Sequence, residues 1–423
     1  MRDLFVTAII FGLIPFILVN PVVGVLTWCW LGFMNPHKLC WGFAQTFPFA
    51  QTVAIATLIS LMAWKEPKRI PWTRETKTLL AFTLWMLVTT FFALNPEGAW
   101  EQWNKVWKIM LMTYVTLMVM NTPKRIHMLL WVTALSLGFY GVKGGIFTLA
   151  TGGQFMVLGP EMTFIGVRGG IALALNMTIP LMRYLQLTTP QKWIRVGLGA
   201  AMALTGLAVI GTHSRGGFLG ALAMSFFLIM KTRRKFFYTL LLAATAYGIL
   251  SFMPSFWAER MHTIETYEED ASAMGRINAW LFAFNLAKAR PIGGGFECFR
   301  GWLFDRYAPN PNDVHDAHSI FFEVLGEHGF IGLGLYGALI LLTWRSAGWI
   351  RKNAQGDPRT QWLADAASMI QVSLVGYMVG GSFLGLAYFD LFYHLVGIIV
   401  LCRVLLERHK AGEDVAIQDY RFF

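Results

Sequence analysis

Charged residues are scarce in this chain. Asp, Glu, Lys and Arg make up 14% of its 423 residues, whereas 56% are hydrophobic. A soluble domain of this size cannot bury so much apolar surface. Long apolar runs recur along the whole sequence, and they predict an all-α polytopic membrane protein. The runs are continuous rather than alternating, which excludes a membrane β-barrel.

Acidic residues and cysteines are also few. The 24 acidic residues stand against 35 Lys and Arg, so the net charge is +11. No nucleic-acid partner is expected from this excess, because cytoplasmic loops of membrane proteins collect basic residues. The four cysteines show no CxxC spacing, so neither a metal site nor structural disulfides are predicted, although a Cys40–Cys298 pair stays open. HExxH and GxSxG motifs are absent.

Twelve apolar segments predict about twelve transmembrane helices. They lie near residues 4–34, 46–64, 77–94, 106–120, 126–150, 165–187, 194–212, 215–231, 236–252, 318–344, 362–386 and 387–407. The connections rich in Lys and Arg belong in the cytoplasm by the positive-inside rule. Asn20 and Pro21 interrupt the first segment, which is either one broken span or two short helices. Charge parity counts it once and puts both termini in the cytoplasm.

The same sidedness predicts one large periplasmic loop, residues 253–317, between spans nine and ten. Within it, apolar residues at 277, 280, 281 and 284 have helical spacing, which predicts an amphipathic helix against the membrane-facing surface. The sequence PIGGGF (291–296) predicts a turn, and WLFDRYA (302–308) a second short helix. Residues 1–423 form a single integral membrane domain on this interpretation.

Several cations fall on the outer side, where this topology does not favour them. They are Lys143, Arg168, Arg215, Arg276 and Arg300. An ionisable group within a span costs at least ~2.5 kcal/mol on insertion scales and usually faces a polar cavity. Convergence of these cations at one leaflet predicts an anion site that opens outward. The alternative for each residue taken alone is contact with lipid headgroups.

Arg215 is the best placed of these cations. Ser214 is expected to cap the helix that starts there. A helix N-terminus attracts anions through its free N–H groups and its dipole, and the arginine adds a planar fork suited to phosphate oxygens. Gly216 and Gly217 are expected to let a ligand approach the backbone closely.

His318 begins the span that follows the loop, with Asp316 as the candidate N-cap. The positive helix end disfavours the imidazolium, which leaves a neutral imidazole able to accept a proton. The alternative is an interfacial histidine that contacts a headgroup. Glu327, over two turns deeper, is expected to be structural. The segment AYFDLFYH (387–394) either lines a pocket with Tyr388 or forms an aromatic belt, and the belt is favoured.

Three motifs resemble those of the bacterial O-antigen ligases and the related O-antigen polymerases of inner membranes. They are SRGGFLG (214–220), GRINAW (275–280) followed by PIGGGFECF (291–299), and HSIFFEVLGEHGFIG (318–332). The chain departs from the family pattern in the GGG of its turn and in Ser319, where Asn is common. The sequences YGVKGGIFTLATGG and LGPEMTFI are similar to a subgroup described as O-glycosylation ligases of exosortase-bearing bacteria.

The resemblance implies glycan transfer at the periplasmic face of the inner membrane, without metal, ATP or another cofactor. The donor would be a polysaccharide on undecaprenyl diphosphate, and the acceptor a sugar hydroxyl of the lipid A core, in lipopolysaccharide biosynthesis. Arg215 and Arg276 match the family's essential arginines, and His318 matches its essential histidine. The other expected diphosphate ligands are Arg168, Lys143 and Arg300.

On this interpretation His318 is the catalytic base, and direct attack by the acceptor inverts the anomeric carbon. An O-antigen polymerase or a protein O-glycosylation ligase that uses the same donor remains an alternative. A transporter without chemistry is a further alternative, but the unusual charges lie towards one face rather than at the bilayer midplane, which argues against transport.

Overall fold

The computed structural model of this chain describes residues 1–231, 253–255, 257, 271–413 and 416–417, with the pairs 235–236, 239–240, 243–244 and 247–248 between them. The described residues contain no strand, and the all-α class is confirmed. The predicted ninth span, 236–252, and the first part of the predicted large loop lie mostly outside the described residues.

Fourteen α-helices have defined bounds in the described part of the chain. They are α1 (Arg2–Val19), α2 (Pro21–Met34), α3 (Phe49–Ala63), α4 (Arg74–Phe91), α5 (Pro96–Val119), α6 (Pro123–Ala150), α7 (Arg168–Thr188), α8 (Lys192–Gly211), α9 (Arg215–Lys231), α10 (Ala271–Ala289), α11 (Gly301–Tyr307), α12 (Ile320–Ala354), α13 (Gln361–Gly381) and α14 (Asp390–Lys410). Two short 3-10 helices, Pro36–Leu39 and Phe43–Gln45, lie between α2 and α3.

Local sequence explains where several helices start. Asn20 and Thr122 each accept a hydrogen bond from a backbone N–H in the first turn of the helix that follows. Pro21, Pro96 and Pro123 stand at first helical positions, where a missing N–H costs nothing. The apolar composition then sustains the helices across a bilayer.

Five described helices are long and apolar enough to cross a membrane, namely α1, α6, α8, α12 and α13. The helices α2 and α3, and residues 215–230 of α9, are apolar but shorter. The chain is therefore a multi-pass membrane protein. The number of twelve crossings stays a prediction.

Residues 4–34 form two helices that run in opposite directions. The Asp3 carboxylate accepts hydrogen bonds from the N–H groups of Gly42 and Ala44, which follow α2, at 3.0 and 3.2 Å. Asn20, between the two helices, instead lines a cavity with Arg408 near the end of α14. The prediction of one crossing here is wrong, because the extended backbone of Asn20 turns the chain and its side chain starts a new helix.

As a consequence, the two termini lie at opposite ends of the helix bundle. The prediction that both termini are cytoplasmic is wrong, because it counted residues 4–34 as one crossing. We call the end with residues 64–73, 120–122, 189–191 and 355–360 the basic end. We call the opposite end, with residues 35–48, 92–95, 151–167, 212–214, 290–319 and 382–389, the loop end.

The centre of the bundle is formed by α13 and α14. The first of these packs against α7, α9 and α12, and α14 is buried along most of its length. Because α13 ends at the loop end, the residues that follow it lie between the starts of α7, α9 and α12. This arrangement brings the site together.

The helix α12 is broken at Gly329, which has a φ of +66°. The PIGGGF segment forms the predicted turn and lies across this break. The N–H groups of Gly294 and Gly295 donate to the carbonyl oxygens of Gly326 and Glu327, each at 2.8 Å. The turn thereby satisfies carbonyl groups that the break leaves without helical partners.

Both helices predicted in the large loop are present, as α10 and α11. The buried face of α10 differs from the predicted stripe: Phe282 and Leu286 are fully buried, whereas Leu281 and Phe284 are 44% and 46% exposed. The helix is apolar on two faces, one packed against α11 and the other outward. All four cysteines of the chain are free and buried, so Cys40 and Cys298 form no disulfide.

Candidate active site

Arg215 occupies the predicted position at the start of α9. The Gly217 N–H donates to the Ser214 Oγ at 3.1 Å, so the predicted cap is confirmed. The Arg215 side chain is half-buried at the loop end. Arg215 therefore stands in the first turn of a helix, where free N–H groups favour an anion.

The glycines after Arg215 have a different role from the predicted one. A Cβ on Gly217 would lie 2.5 Å from the Ala172 Cβ of α7, and one on Gly216 would lie 3.0 Å from the Phe383 Cβ. Both glycines are buried. They are needed for close packing between helices rather than for access of a ligand to the backbone.

Arg168 begins α7 and is also half-buried. A Cβ on the adjacent Gly169 would overlap the Leu384 side chain. Leu384 belongs to the same connection as Phe383, which packs against Gly216. The starts of α7 and α9 thus border one short segment after α13. Arg168 and Arg215, at these two starts, therefore flank the same connection, and their binding of one anion stays a prediction.

The GRINAW motif holds the chain just before His318. The Asn278 side chain donates to the carbonyl oxygens of Asn310 and Asp313, each at 2.8 Å, and accepts from the Asn310 N–H at 2.9 Å. The Trp280 indole N–H donates to the Ala317 carbonyl oxygen at 2.7 Å. Sequence reasoning missed both positioning roles.

The same motif brings Arg276 beside the histidines. A Cβ on Gly275 would overlap the His315 ring, so the glycine permits the contact. The His315 Nε2 lies 2.8 Å from the Asp313 Oδ1. Arg276 follows Gly275 directly and is half-buried at this junction.

His318 lies just outside α12, with a φ of +42°. The helix starts at Ile320 and Ser319 is its N-cap residue, without a side-chain cap bond. The prediction that Asp316 caps the helix is therefore wrong: its Oδ1 accepts from the Ala317 N–H at 2.8 Å, within a local turn.

Burial lowers the pKa of His318 below its ordinary value of 6.5. Asp316 raises this pKa, whereas Arg276, His315 and Arg168 lower it through their positive charge. A lowered pKa favours the neutral form of the imidazole.

An acidic cavity of about 340 Å³ adjoins this cluster through Asp316. Its other polar lining residues are Gln102, Glu297, Arg300, Glu323, Glu327 and Tyr388. Glu323 was not predicted as a site residue; its Oε2 accepts from the Ala387 N–H at 2.9 Å. The Arg300 guanidinium lies 2.7 Å from the Glu297 carboxylate, so its charge is opposed within the cavity.

Glu327 is structural, as predicted. Its two carboxylate oxygens accept from the Glu297 N–H at 2.8 Å and from the Tyr388 hydroxyl at 2.5 Å. It thereby joins α12 to the turn and to the connection before α14. The predicted aromatic belt at 387–394 is wrong, because Tyr388 and Tyr393 are at most 1% exposed and pack in the core.

Lys143 lies apart from the cluster. Its side chain is exposed on α6. It lines two cavities: a groove between α6, α7 and α8, and a second cavity beneath residues 156–160. No other predicted site residue lines either cavity. Of the five predicted cations, Arg168, Arg215, Arg276 and Arg300 lie at the loop end, whereas Lys143 lines separate cavities beside α6. Their role at one anion site stays a prediction.

The fold and this site define a multi-pass helical membrane protein with cations and a neutral histidine at one end of the bundle. Residues 200–337 match the family described as O-antigen ligase, and residues 1–188 match a family of unknown function. No curated protein matches the chain. The matched region supports an O-antigen ligase-type family, and it suggests a glycosyltransferase-like enzyme of glycan assembly. Arg215, Arg276 and His318 fall within the matched region.

Proposed function

We propose that this protein ligates a glycan from undecaprenyl diphosphate onto a sugar hydroxyl of the lipid A core. The observation that carries the proposal is that Gly275 packs against the His315 ring, which places Arg276 beside the segment that carries His318. A proton acceptor beside fixed cations suits the attack of a hydroxyl on a glycosyl diphosphate. The O-antigen ligase match supports this class of donor.

The loop end faces the periplasm in this proposal. Lys and Arg are concentrated in and beside the connections of the basic end, at residues 65–77, 124–125, 192–195 and 351–359. The positive-inside rule assigns this end to the cytoplasm of a bacterial inner membrane. The C-terminal end of α14 is then cytoplasmic, and the start of α1 is periplasmic. The candidate site opens on the side where the lipid A core and the flipped donor are available.

The donor supplies the driving force in its glycosyl–diphosphate bond. Arg215, Arg276 and Arg168 hold the diphosphate, and their attraction grows as negative charge develops on the departing undecaprenyl diphosphate. His318 takes the proton of the acceptor hydroxyl as its oxygen forms the new bond to the anomeric carbon. The attack comes opposite the leaving group and inverts that carbon. None of these steps needs a metal ion or ATP.

The acidic cavity is assigned to the acceptor. Carboxylates such as Glu323 and Asp316 repel a diphosphate but accept hydrogen bonds from sugar hydroxyls. Charge thus sorts the two substrates onto opposite sides of His318. Because Arg300 is already paired with Glu297, it serves this cavity rather than the diphosphate. Lys143 lines other cavities and is not assigned to the reacting centre.

The decisive experiment combines purified protein, undecaprenyl-diphosphate-linked glycan and rough lipopolysaccharide, with EDTA and without ATP. Glycan on the lipid A core is the expected product. Arg215→Lys keeps the charge but loses the bidentate fork, and transfer should fall by about 10²-fold. Arg195→Lys, an exposed arginine at the basic end, is the matched control and should keep the parental rate.

Two products would overturn the assignment of the acceptor. Longer glycan on undecaprenyl diphosphate identifies a polymerase. Glycan on Ser or Thr of a secreted protein, with none on lipopolysaccharide, identifies a protein O-glycosylation ligase.

A further inference from the structure

Lys143 lies on an apolar, outward face of a candidate membrane span. Its neighbours on α6 include Phe139 and Ile146, which are 41% and 54% exposed. This face meets lipid chains rather than protein. A lysine in such a position is unfavourable unless it has an anionic partner, and it marks a functional site by default.

Two cavities meet at Lys143, and together we call them the Lys143 groove. The larger has a volume of about 540 Å³ and lies between α6, α7 and α8; apart from Lys143, every residue that lines it is apolar. The smaller, about 270 Å³, lies beneath residues 156–160. A positive charge at the junction of an apolar trench and a loop complements a lipid with an anionic headgroup.

The length of the groove fits one membrane leaflet. It extends along α6 from Lys143 to Ala134, towards the basic end. The nine steps from Ala134 to Lys143 rise about 13 Å at 1.5 Å per residue, which is close to half of a 30 Å hydrocarbon core. A lipid in the leaflet of the loop end would place its headgroup at Lys143 and its chain along the trench.

The roof of the groove is connected to elements of the candidate active site. The segment 156–160 covers its smaller cavity and continues along the chain to Arg168. The Val157 N–H donates to the Gly211 carbonyl oxygen at 2.8 Å, three residues before Ser214. The roof of the groove is thus tied to the starts of both α7 and α9.

We infer that the Lys143 groove seats the polyprenyl chain of the lipid diphosphate donor, with the Lys143 ammonium at its phosphate, as the donor reaches the arginines. This inference rests on the proposed function. A single trench suits a lipid with one hydrocarbon chain better than a phospholipid with two. Lys143 is on this account a positioning residue for the donor and takes no part in bond breaking.

Binding of undecaprenyl diphosphate to the full-length protein in detergent tests the inference without any transfer reaction. Lys143→Ala should raise the Kd about tenfold, and Ala201→Phe, which narrows the trench, should also raise it. Lys105→Ala is the matched control, because this lysine is paired with Glu101 at 2.9 Å and should be dispensable. Phosphatidylglycerol at equal concentration should not displace the carrier.

Parental affinity in Lys143→Ala, or equal displacement by phosphatidylglycerol, would overturn the inference. In transfer assays, Lys143→Ala should raise the donor KM and leave kcat unchanged. A parental donor KM in an active Lys143→Ala enzyme rejects the groove while leaving the ligase proposal intact. Lys143-dependent carrier binding by a protein that transfers nothing supports the groove and rejects the ligase proposal.

Discussion

The Ser214 Oγ accepts a hydrogen bond from the Gly217 N–H at 3.1 Å, so that α9 begins with Arg215 in its first turn. Ser214 is buried, whereas Arg215 is half-buried at the loop end. The place of Arg215 in the first helical turn therefore depends on a buried hydroxyl that fixes where the helix starts. This dependence can be tested separately from the charge of the arginine.

Ser214→Ala should lower the free energy of unfolding by about 1 kcal/mol, as loss of an N-cap does. It should also raise the donor KM, because Arg215 is no longer held in the first turn of a capped helix. Thr122→Ala is the control, since Thr122 caps α6 at the basic end in the same way. Both variants should show a similar fall in Tm. An equal change of donor KM in the two variants would mean that the Ser214 effect is only one of stability.

Trp280→Phe should lower kcat with little loss of stability. The indole N–H bonds to the Ala317 carbonyl oxygen beside His318, while its ring stacks on Phe322 at 5.0 Å. Phenylalanine keeps the stacking but releases the segment that carries the imidazole. Single-turnover rates and Tm, measured together, check this. A fall in Tm without a change in rate would assign Trp280 to packing alone.

The pH dependence of transfer should shift in Asp316→Asn. The pKa of His318 lies below 6.5, and Asp316 raises it. Since the neutral imidazole is the base, kcat/KM should fall as the pH drops through this pKa, on a limb below pH 6.5. Removing the Asp316 charge lowers the pKa further, so the limb should move to lower pH. A limb that moves upward would contradict the assignment of His318.

Patterns in the sequence predicted the helices, the turn and the cap well, because each depends on residues close together in the chain. Predictions that depend on packing fared worse. Gly216 and Gly217 were predicted to give a ligand access to the backbone. Instead, they allow close packing against α7 and against the connection after α13. Charge parity failed at residues 4–34, since one Arg2 near a terminus is a weak signal, and its guanidinium stacks on Trp41 at 4.9 Å.

The site itself was predictable in part. Arg168, Arg276 and His318 were identified from their charge and place in the topology. Lys143 was grouped with these residues by the same criteria. The sequence indicates how deep a residue lies along a helix, but it does not indicate which face of the helix carries the residue. Asn278 and Trp280 act through hydrogen bonds to a loop about 35 residues away in the chain. No local sequence pattern predicts such bonds.

Gly329→Ala should destabilise the fold strongly. A Cβ there would overlap the Pro291 carbonyl oxygen, and the φ of +66° disfavours any residue with a side chain. Gly334→Ala is the control within the same helix, because a Cβ at Gly334 meets nothing within 4 Å. Tm in detergent should fall by several degrees for the first variant only. Equal Tm values would show that the turn does not depend on the break in α12.

The most direct test of the central claim is His318→Ala, assayed for donor binding and for single-turnover transfer on one preparation. The account predicts that the Kd for undecaprenyl-diphosphate-linked glycan stays within about twofold, while transfer falls by roughly 10²–10⁴-fold, the usual contribution of a general base. Transfer at the parental rate, or loss of donor binding with no separate loss of rate, would contradict a catalytic imidazole beside the cations.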